Sequence, residues 1–440
     1  MSITEVPGTE AKDRLPREAI ASKNWFGSMS PQERRTFWAC LYAWTLDAMA
    51  VQMYVVVMPT LIGLWGMSKR QAGILGTSAL LVSSLGGWIA GMLSDRYGRV
   101  RVLQWTVIWF AVFTALSGLT HSYGQLLLTR SLQGLGFGGE WAAGGVLISE
   151  AISKERRGRA AGTVASGWAL GYGAAVLLYS VIFSLVPAAQ AWRILFFLGI
   201  VPAILVLWMC RKVEEPEVYL KLKKEGLVSK KASNLLEIFH PTLLKTTVVS
   251  SLLAAGALGG NYTILTWLPT YLKLVRHLSV LNTGGYLGVN ICGSFLGYVL
   301  GAHLSDWLGR RRTFAIMGTC AAVTLGVYTL VPLSGSIVLI LGFPLGFFQS
   351  GIISGMSATF AELFPTRVRG TGQGFSYNSG RGLGSFVPLI VGYVGGETHL
   401  GGAIGACALC SYGVLLATTA LLPETRGKEL GFNTGGTNRA

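Results

Sequence analysis

The sequence predicts an all-α membrane protein of twelve transmembrane helices in two pseudo-symmetric six-helix halves. Three observations carry that expectation. Of 440 residues, 51% are hydrophobic and only 13% are charged, about half the charged share of an ordinary soluble protein, which argues against a soluble enzyme. Apolar runs, each near or above the ~20 residues a helix needs to cross a bilayer, follow one another with only short polar punctuation. Finally, a pattern of charged residues in the first half of the chain recurs in the second.

The runs lie near 36–62, 71–94, 102–121, 124–150, 160–187 and 191–210, then 243–271, 281–305, 313–331, 336–362, 370–395 and 401–422. Residues 1–35 are polar, without the apolar core and small-residue cleavage site of a signal peptide, and read as a cytoplasmic N-terminal tail. Residues 212–242 hold a lysine cluster and form a cytoplasmic linker between the halves 36–211 and 243–422, and 423–440 is a cytoplasmic tail. The 59 glycines follow no Gly-X-Y period and sit inside the apolar runs, as in close-packed membrane helices. The six cysteines are scattered, have no histidine partners, and read as small buried residues. No metal and no cofactor is called for.

Lysine and arginine test the topology, because they favour the cytoplasmic side. With the N-terminus inside, Lys69, Arg70, Arg193, Lys273 and Arg276 fall outside and Arg130 and Arg381 fall within spans. The remaining 29 of the 36 basic residues are cytoplasmic. The net charge of +16 is thus a topology signal rather than a sign of nucleic-acid binding. It places a multi-pass protein in the inner (plasma) membrane with both termini cytoplasmic.

The repeat is specific. Ser94, Asp95, Gly98 and Arg99 after span two match Ser305, Asp306, Gly309 and Arg310 after span eight. Glu150 precedes Arg157 by seven positions at the end of span four, as Glu362 precedes Arg369 after span ten. Two related halves mark a transporter that rocks around a central site. In this reading Asp95, Arg96, Arg99 and Glu150, with Asp306, Arg310 and Glu362, latch one face of each half.

The stretch GMLSDRYGRVR from Gly91 to Arg101, with its weaker copy at Asp306, resembles the loop motif of the major facilitator superfamily, and the resemblance runs from about residue 36 to 430. RSLQGLGFG from Arg130 and GGEW from Gly138 resemble span four of proton-linked members in the metabolite, aromatic-acid and sialate symporter branch, as does NYTILTWLPTYL from Asn261. LPETRGKEL from Leu422 is also similar to the sugar porters. A PESPR-type run after span six and a glutamine-rich span seven, usual in that branch, are absent. So is the GP-x-x-GG motif of drug antiporters in span five. The resemblance implies the major facilitator fold and uptake rather than drug export.

Chemistry is expected where charge is costly, since an ionisable group at mid-membrane costs about 2.5 to 3.5 kcal/mol or more. Asp47 in span one, Arg130 and Glu140 in span four and Arg381 in span eleven qualify. Arg130 and Glu140 lie about 15 Å apart along one helix, which excludes a direct pair. In the superfamily fold spans one and four face one cavity, where Asp47 meets Arg130 or Glu140, and a carboxylate moving between paired and protonated states carries a proton. The aromatic-acid branch has an acidic pair in span one, of which this chain keeps only Asp47. The expected proton-coupling residues are therefore Asp47, Glu140 and Arg130. The expected substrate residues are Arg381, Asn378, Tyr377, Asn290, Asn261 and Trp141, with Trp44, Tyr54, Tyr262 and Trp267 as further aromatic candidates.

The expectation is a monomeric secondary active transporter taking up a small organic acid, an anionic substrate, with protons from the bilayer's outer side by alternating access. The alternatives are a sugar or polyol porter and a transporter-like membrane sensor. No HExxH, GxSxG or Walker-type loop suggests an enzyme.

Overall fold

The computed structural model describes residues 26–153, 157–216, 219–220, 224, 235–365, 368–395 and 399–425. The twelve expected spans are all helical. Span one is Pro31–Trp65, span two Lys69–Tyr97, span three Arg99–Gly118 and span four Tyr123–Ala151. Span five breaks into Arg157–Ala165 and Gly167–Leu185, and span six into Ala188–Leu198 and Ile200–Cys210. Span seven, Pro241–Thr270, continues as a single π turn, Tyr271–Val275. Spans eight to twelve are Val280–Leu308, Arg310–Leu330, Gly335–Leu363, Arg369–Val394 and Leu400–Leu421.

The starts are written locally. Ser30 caps span one by accepting from the backbone N–H of Glu33, whose carboxylate accepts from that of Ser30 in return. Ser68 and Gln71 repeat this reciprocal cap on span two, satisfying donors that the first helical turn leaves open. With Pro31 at its first position, span one begins five residues before its apolar run.

Packing repeats as the sequence does. Span two lies on span four and span eight on span ten; span one lies on span five and span seven on span eleven. Pro59 interrupts span one and Pro269 span seven, 210 positions apart. The turns into spans three and nine hinge on Gly98 and Gly309, with φ of 107° and 96°. An L side chain avoids that region, and an added Cβ would also lie 2.3 Å from Glu215 or 2.7 Å from Glu424.

Among the described residues, ten helices are by themselves long and apolar enough to cross a membrane. Spans four and eleven fall outside that set, and they carry Arg130, Glu140 and Arg381. They are held by their neighbours: at Gly138 a Cβ would lie 1.6 Å from the Ser83 carbonyl oxygen of span two, and at Gly380 2.2 Å from Ala254 of span seven. Apolar side chains such as Leu177, Ile204 and Ile340 point outward, because lipid accepts them as a core does. The same reason corrects the expectation for cysteine: Cys40 and Cys210 are buried, but Cys292 and Cys410 are exposed.

The halves meet along spans two with eleven and five with eight. The seam is closed toward both ends. At the loop-motif end Trp88 of span two stacks on Phe375 of span eleven, 5.6 Å between centroids, and Phe239 meets Phe375 edge-on. Farther along, the Thr77 hydroxyl donates to the Ser385 carbonyl at 2.8 Å. At the far end Lys273 reaches Thr60.

Candidate functional site

Between these closures lies a buried charged centre. Asp47, Glu140 and Arg381 are 1%, 0% and 0% exposed. Glycine also seats span one at this level: a Cβ on Gly171 of span five would lie 2.1 Å from the Thr45 carbonyl oxygen, two residues before Asp47. The Asp47 and Glu140 carboxyl groups lie next to each other, and the Arg381 charge acts on Asp47 from the opposite half. Beyond each other, the two carboxyl groups meet no hydrogen-bond partner among the described residues. Of the two partners expected for Asp47, the structure brings Glu140 and leaves Arg130 elsewhere.

Arg381 sits in an aromatic box. Its guanidinium carbon lies 4.5 Å from the ring centroid of Phe137, 5.3 Å from Trp141 and 5.1 Å from Tyr377. Trp141 and Tyr377 stack on each other across the seam at 4.7 Å and 12°, and Trp44 packs against Trp141. Ring faces stabilise a desolvated cation by about 2 kcal/mol or more, but they accept no planar pair of N–H bonds. Among the described residues Nε, Nη1 and Nη2 of Arg381 meet no acceptor at good hydrogen-bond geometry, and the phenols of Tyr262 and Tyr377 are the polar groups beside them. A buried guanidinium fork has the chemistry to hold a carboxylate by two parallel N–H bonds.

Arg130 occupies a separate level. It donates to Gln133 and covers the Tyr54 ring at 4.8 Å. Gln133 donates in turn to Thr114 at 2.7 Å. Tyr54 and Tyr262 line the cavity at Arg130, whereas Trp267 donates to the Pro388 carbonyl away from either centre.

The asparagines divide. Asn378 donates to Gly374 at 3.0 Å, and its side chain lies against Gly87 of the other half. Asn290 donates to Gly342 of span ten at 3.0 Å, which turns it toward a neighbouring helix. Asn261 is buried beside Tyr262 in span seven.

At the loop-motif end, Arg99 pairs with Glu150 at 3.0 and 3.2 Å, and its Nη1 donates to the Ser94 carbonyl. Arg310 pairs with Glu362 at 3.1 and 2.8 Å, with Thr425 donating to the same carboxylate at 2.6 Å. Each pair lies within its own half. Arg96 is exposed and lies over the Tyr97 ring at 5.3 Å. The side chains of Asp95 and Asp306 lie outside the described residues.

Several residues escaped the sequence reading. Glu215 accepts the backbone N–H of Arg99 and Val100 at 2.8 and 3.0 Å, and Glu424 accepts those of Arg310 and Arg311 at 2.9 and 3.2 Å. Each anion sits at the positive end of a helix dipole. Their signal was an acidic residue beside a proline after spans six and twelve. Phe137 and Gln133 lie within the span-four motif, but nothing in an apolar or amide side chain marks it as facing a charge.

Two helical halves of like packing, meeting in a seam that passes through buried, unpaired charge, define a secondary membrane transporter. The chain belongs to the Major Facilitator Superfamily, whose family profile matches residues 42–388. It is 40% identical over 403 residues to a probable 4-methylmuconolactone transporter of Cupriavidus pinatubonensis, covering 92% of this chain and 93% of the relative. It is 31% identical to a cis,cis-muconate transport protein of Acinetobacter baylyi, covering 80% and 86%. In fold it is similar to the proton:xylose symporter XylE bound to 6-bromo-6-deoxy-D-glucose, with a TM-score of 0.72 at 18% identity, covering 91% and 98%.

Proposed function

We propose that this chain imports a small organic acid together with protons, by alternating access. The observation that carries the reading is Arg381: fully buried at the seam between the halves, with no well-placed hydrogen-bond acceptor for its guanidinium among the described residues, and beside the Asp47 and Glu140 carboxyl groups. A substrate carboxylate fills the vacant acceptor position. When it does, it competes with Asp47 for the arginine's charge, which favours protonation of the acidic pair. Substrate and proton are thereby loaded together before the halves rock. Muconate, transported by one relative, is a carboxylate, which supports the class.

The inner-membrane placement with cytoplasmic termini rests on the basic residues of the loops. In it, the Trp88–Phe375 stack is the inner closure and the Lys273 end the outer one. Proton uptake from outside makes accumulation rise as external pH falls.

The test compares wild type and Arg381→Lys for binding of an acid identified by screening and of its neutral amide. Lysine offers a point charge in place of a two-bond fork. The expected loss for the acid is about 1.5 to 3 kcal/mol, or about ten- to a hundredfold in Kd, with little change for the amide. A folded Arg381→Lys protein that binds the acid with wild-type affinity overturns the assignment.

A further inference from the structure

In the proposed topology the outer segments carry Lys69, Arg70, Arg193, Lys273 and Arg276 against one acid, Glu397, although cations are disfavoured on that side. Three of the five brace neighbouring groups. Arg193 donates to the Gly118 carbonyl and Arg276 to the Leu333 carbonyl, each at 2.8 Å, and Arg70 covers the Tyr393 ring at 5.4 Å. Lys273 is placed differently. It is half-buried in the seam, and among the described residues its ammonium meets one hydroxyl, Thr60 Oγ1 of the opposite half at 3.5 Å. An ammonium has three donors, and a single neutral contact at the limit of hydrogen-bond length leaves this charge without an anion.

Local structure puts it there. Pro59 and Pro269 are each followed by a threonine, Thr60 and Thr270. Past Thr270, span seven widens into the π turn Tyr271–Val275 that carries Lys273, and single π turns concentrate at functional positions. Thr270, about one turn before Lys273, is 0% exposed, and its hydroxyl has no partner among the described residues. The two helices that meet at this closure both run back to the charged centre. Span one leads from Thr60 to Asp47, 13 residues or about 20 Å, and span seven from Lys273 to Tyr262, 11 residues or about 16 Å. The Tyr262 phenol lies near Arg381.

We propose that Lys273 is an outer docking cation for the substrate: as the halves part at this end, its ammonium leaves Thr60 and takes the carboxylate of an incoming acid before the acid is held at Arg381. This rests on the organic-acid reading of Arg381. The two cations suit different tasks, since lysine is a mobile point charge that attracts an anion from any direction, whereas the planar fork of arginine holds one orientation. The competing role, a latch between spans one and seven, uses the same contact but does not distinguish a charged ligand from a neutral one.

The experiment measures association and dissociation rates on the purified full chain by stopped-flow, reading the fluorescence of tryptophans such as Trp141 beside Arg381. The probes are monocarboxylic acids of graded size, each beside its neutral amide. For the acid that binds wild type best, Lys273→Gln should lower the association rate about three- to tenfold at low ionic strength, and Lys273→Arg should restore it. In about 1 M salt, where charges are screened beyond about 3 Å, the difference should vanish, and the amide's rates should be alike in all three proteins. Wild type supplies a second reading that needs no variant: its association rate should fall with added salt for the acid and not for the amide, and a rate indifferent to salt overturns the docking role. So does a wild-type association rate in Lys273→Gln, or a change by the same factor for acid and amide; the Arg381 reading then stands where Arg381→Lys still weakens the acid alone. Failure of every acid to bind wild type more tightly than its amide overturns both.

Discussion

Arg99 and Glu150 hold each other through two N–H···O contacts, 3.0 and 3.2 Å long, that join the start of span three to the end of span four. The partners' side chains are 7% and 23% exposed, so water screens the pair only in part. Arg310 and Glu362 repeat it in the other half, with side chains 8% and 12% exposed.

Loss of one partner should therefore cost stability without touching the substrate centre. Glu150→Gln is expected to destabilise the protein by about 1 to 3 kcal/mol, seen as a lower Tm in detergent, while ligand Kd stays near wild type. Arg96→Ala, at an exposed residue whose guanidinium lies over the neighbouring Tyr97 ring, is expected to stay within about 0.5 kcal/mol. A larger effect at Arg96 than at Glu150 would show that the loop arginines have been assigned the wrong way round.

The acidic pair gives a functional prediction. If Asp47 and Glu140 take up the coupled proton, Asp47→Asn and Glu140→Gln should each abolish accumulation driven by a pH gradient in reconstituted vesicles. Exchange of labelled for unlabelled substrate should survive in part, because it requires rocking of the halves but no net proton release. Normal accumulation in both variants, at equal protein level, removes the pair from the mechanism.

Helix contact gives a prediction about packing. Gly138→Ala places a methyl 1.6 Å from a backbone oxygen that cannot swing aside, so spans two and four must part. The expected cost is about 3 kcal/mol or more, read as poor expression or a sharply lower Tm. Gly145→Ala, seven residues on in the same helix, meets nothing within 4 Å and should be neutral or slightly stabilising, since alanine favours helix over glycine. Equal Tm values for the two variants would rule out the close approach at Gly138.

Much of the candidate centre was legible because charge in a membrane is conspicuous. Asp47, Glu140, Arg130 and Arg381 stand out as four ionisable residues in long apolar runs, and the helical rise alone excluded a pair between Arg130 and Glu140. What could not be read was company. Phe137 is one phenylalanine among 19, and only its position beneath Arg381 and beside the Arg130 cavity sets it apart. Glu215 and Glu424 sit in short polar runs, and their roles as caps appear only when the chain returns over spans six and twelve to the starts of spans three and nine. Asn290 makes the same point: its amide donates to Gly342 of span ten while its Oδ1 meets no partner among the described residues, and neither fact is written in the sequence.

By itself the sequence determined the twelve spans, their division into two repeating halves and the residues whose charge had to be hidden. These follow from local quantities: the length of an apolar run against bilayer thickness, the caps at helix starts and the recurrence of a loop motif. Only the tertiary structure decided that Asp47 lies with Glu140 and near Arg381 rather than with Arg130, and that each loop arginine pairs within its own half. It also decided that Phe137 lies beneath Arg381 and beside the Arg130 cavity. Those choices depend on which faces of helices far apart in sequence meet. In lipid no hydrophobic gradient favours one meeting over another, so close approach at glycines such as Gly138, Gly171 and Gly380 selects them.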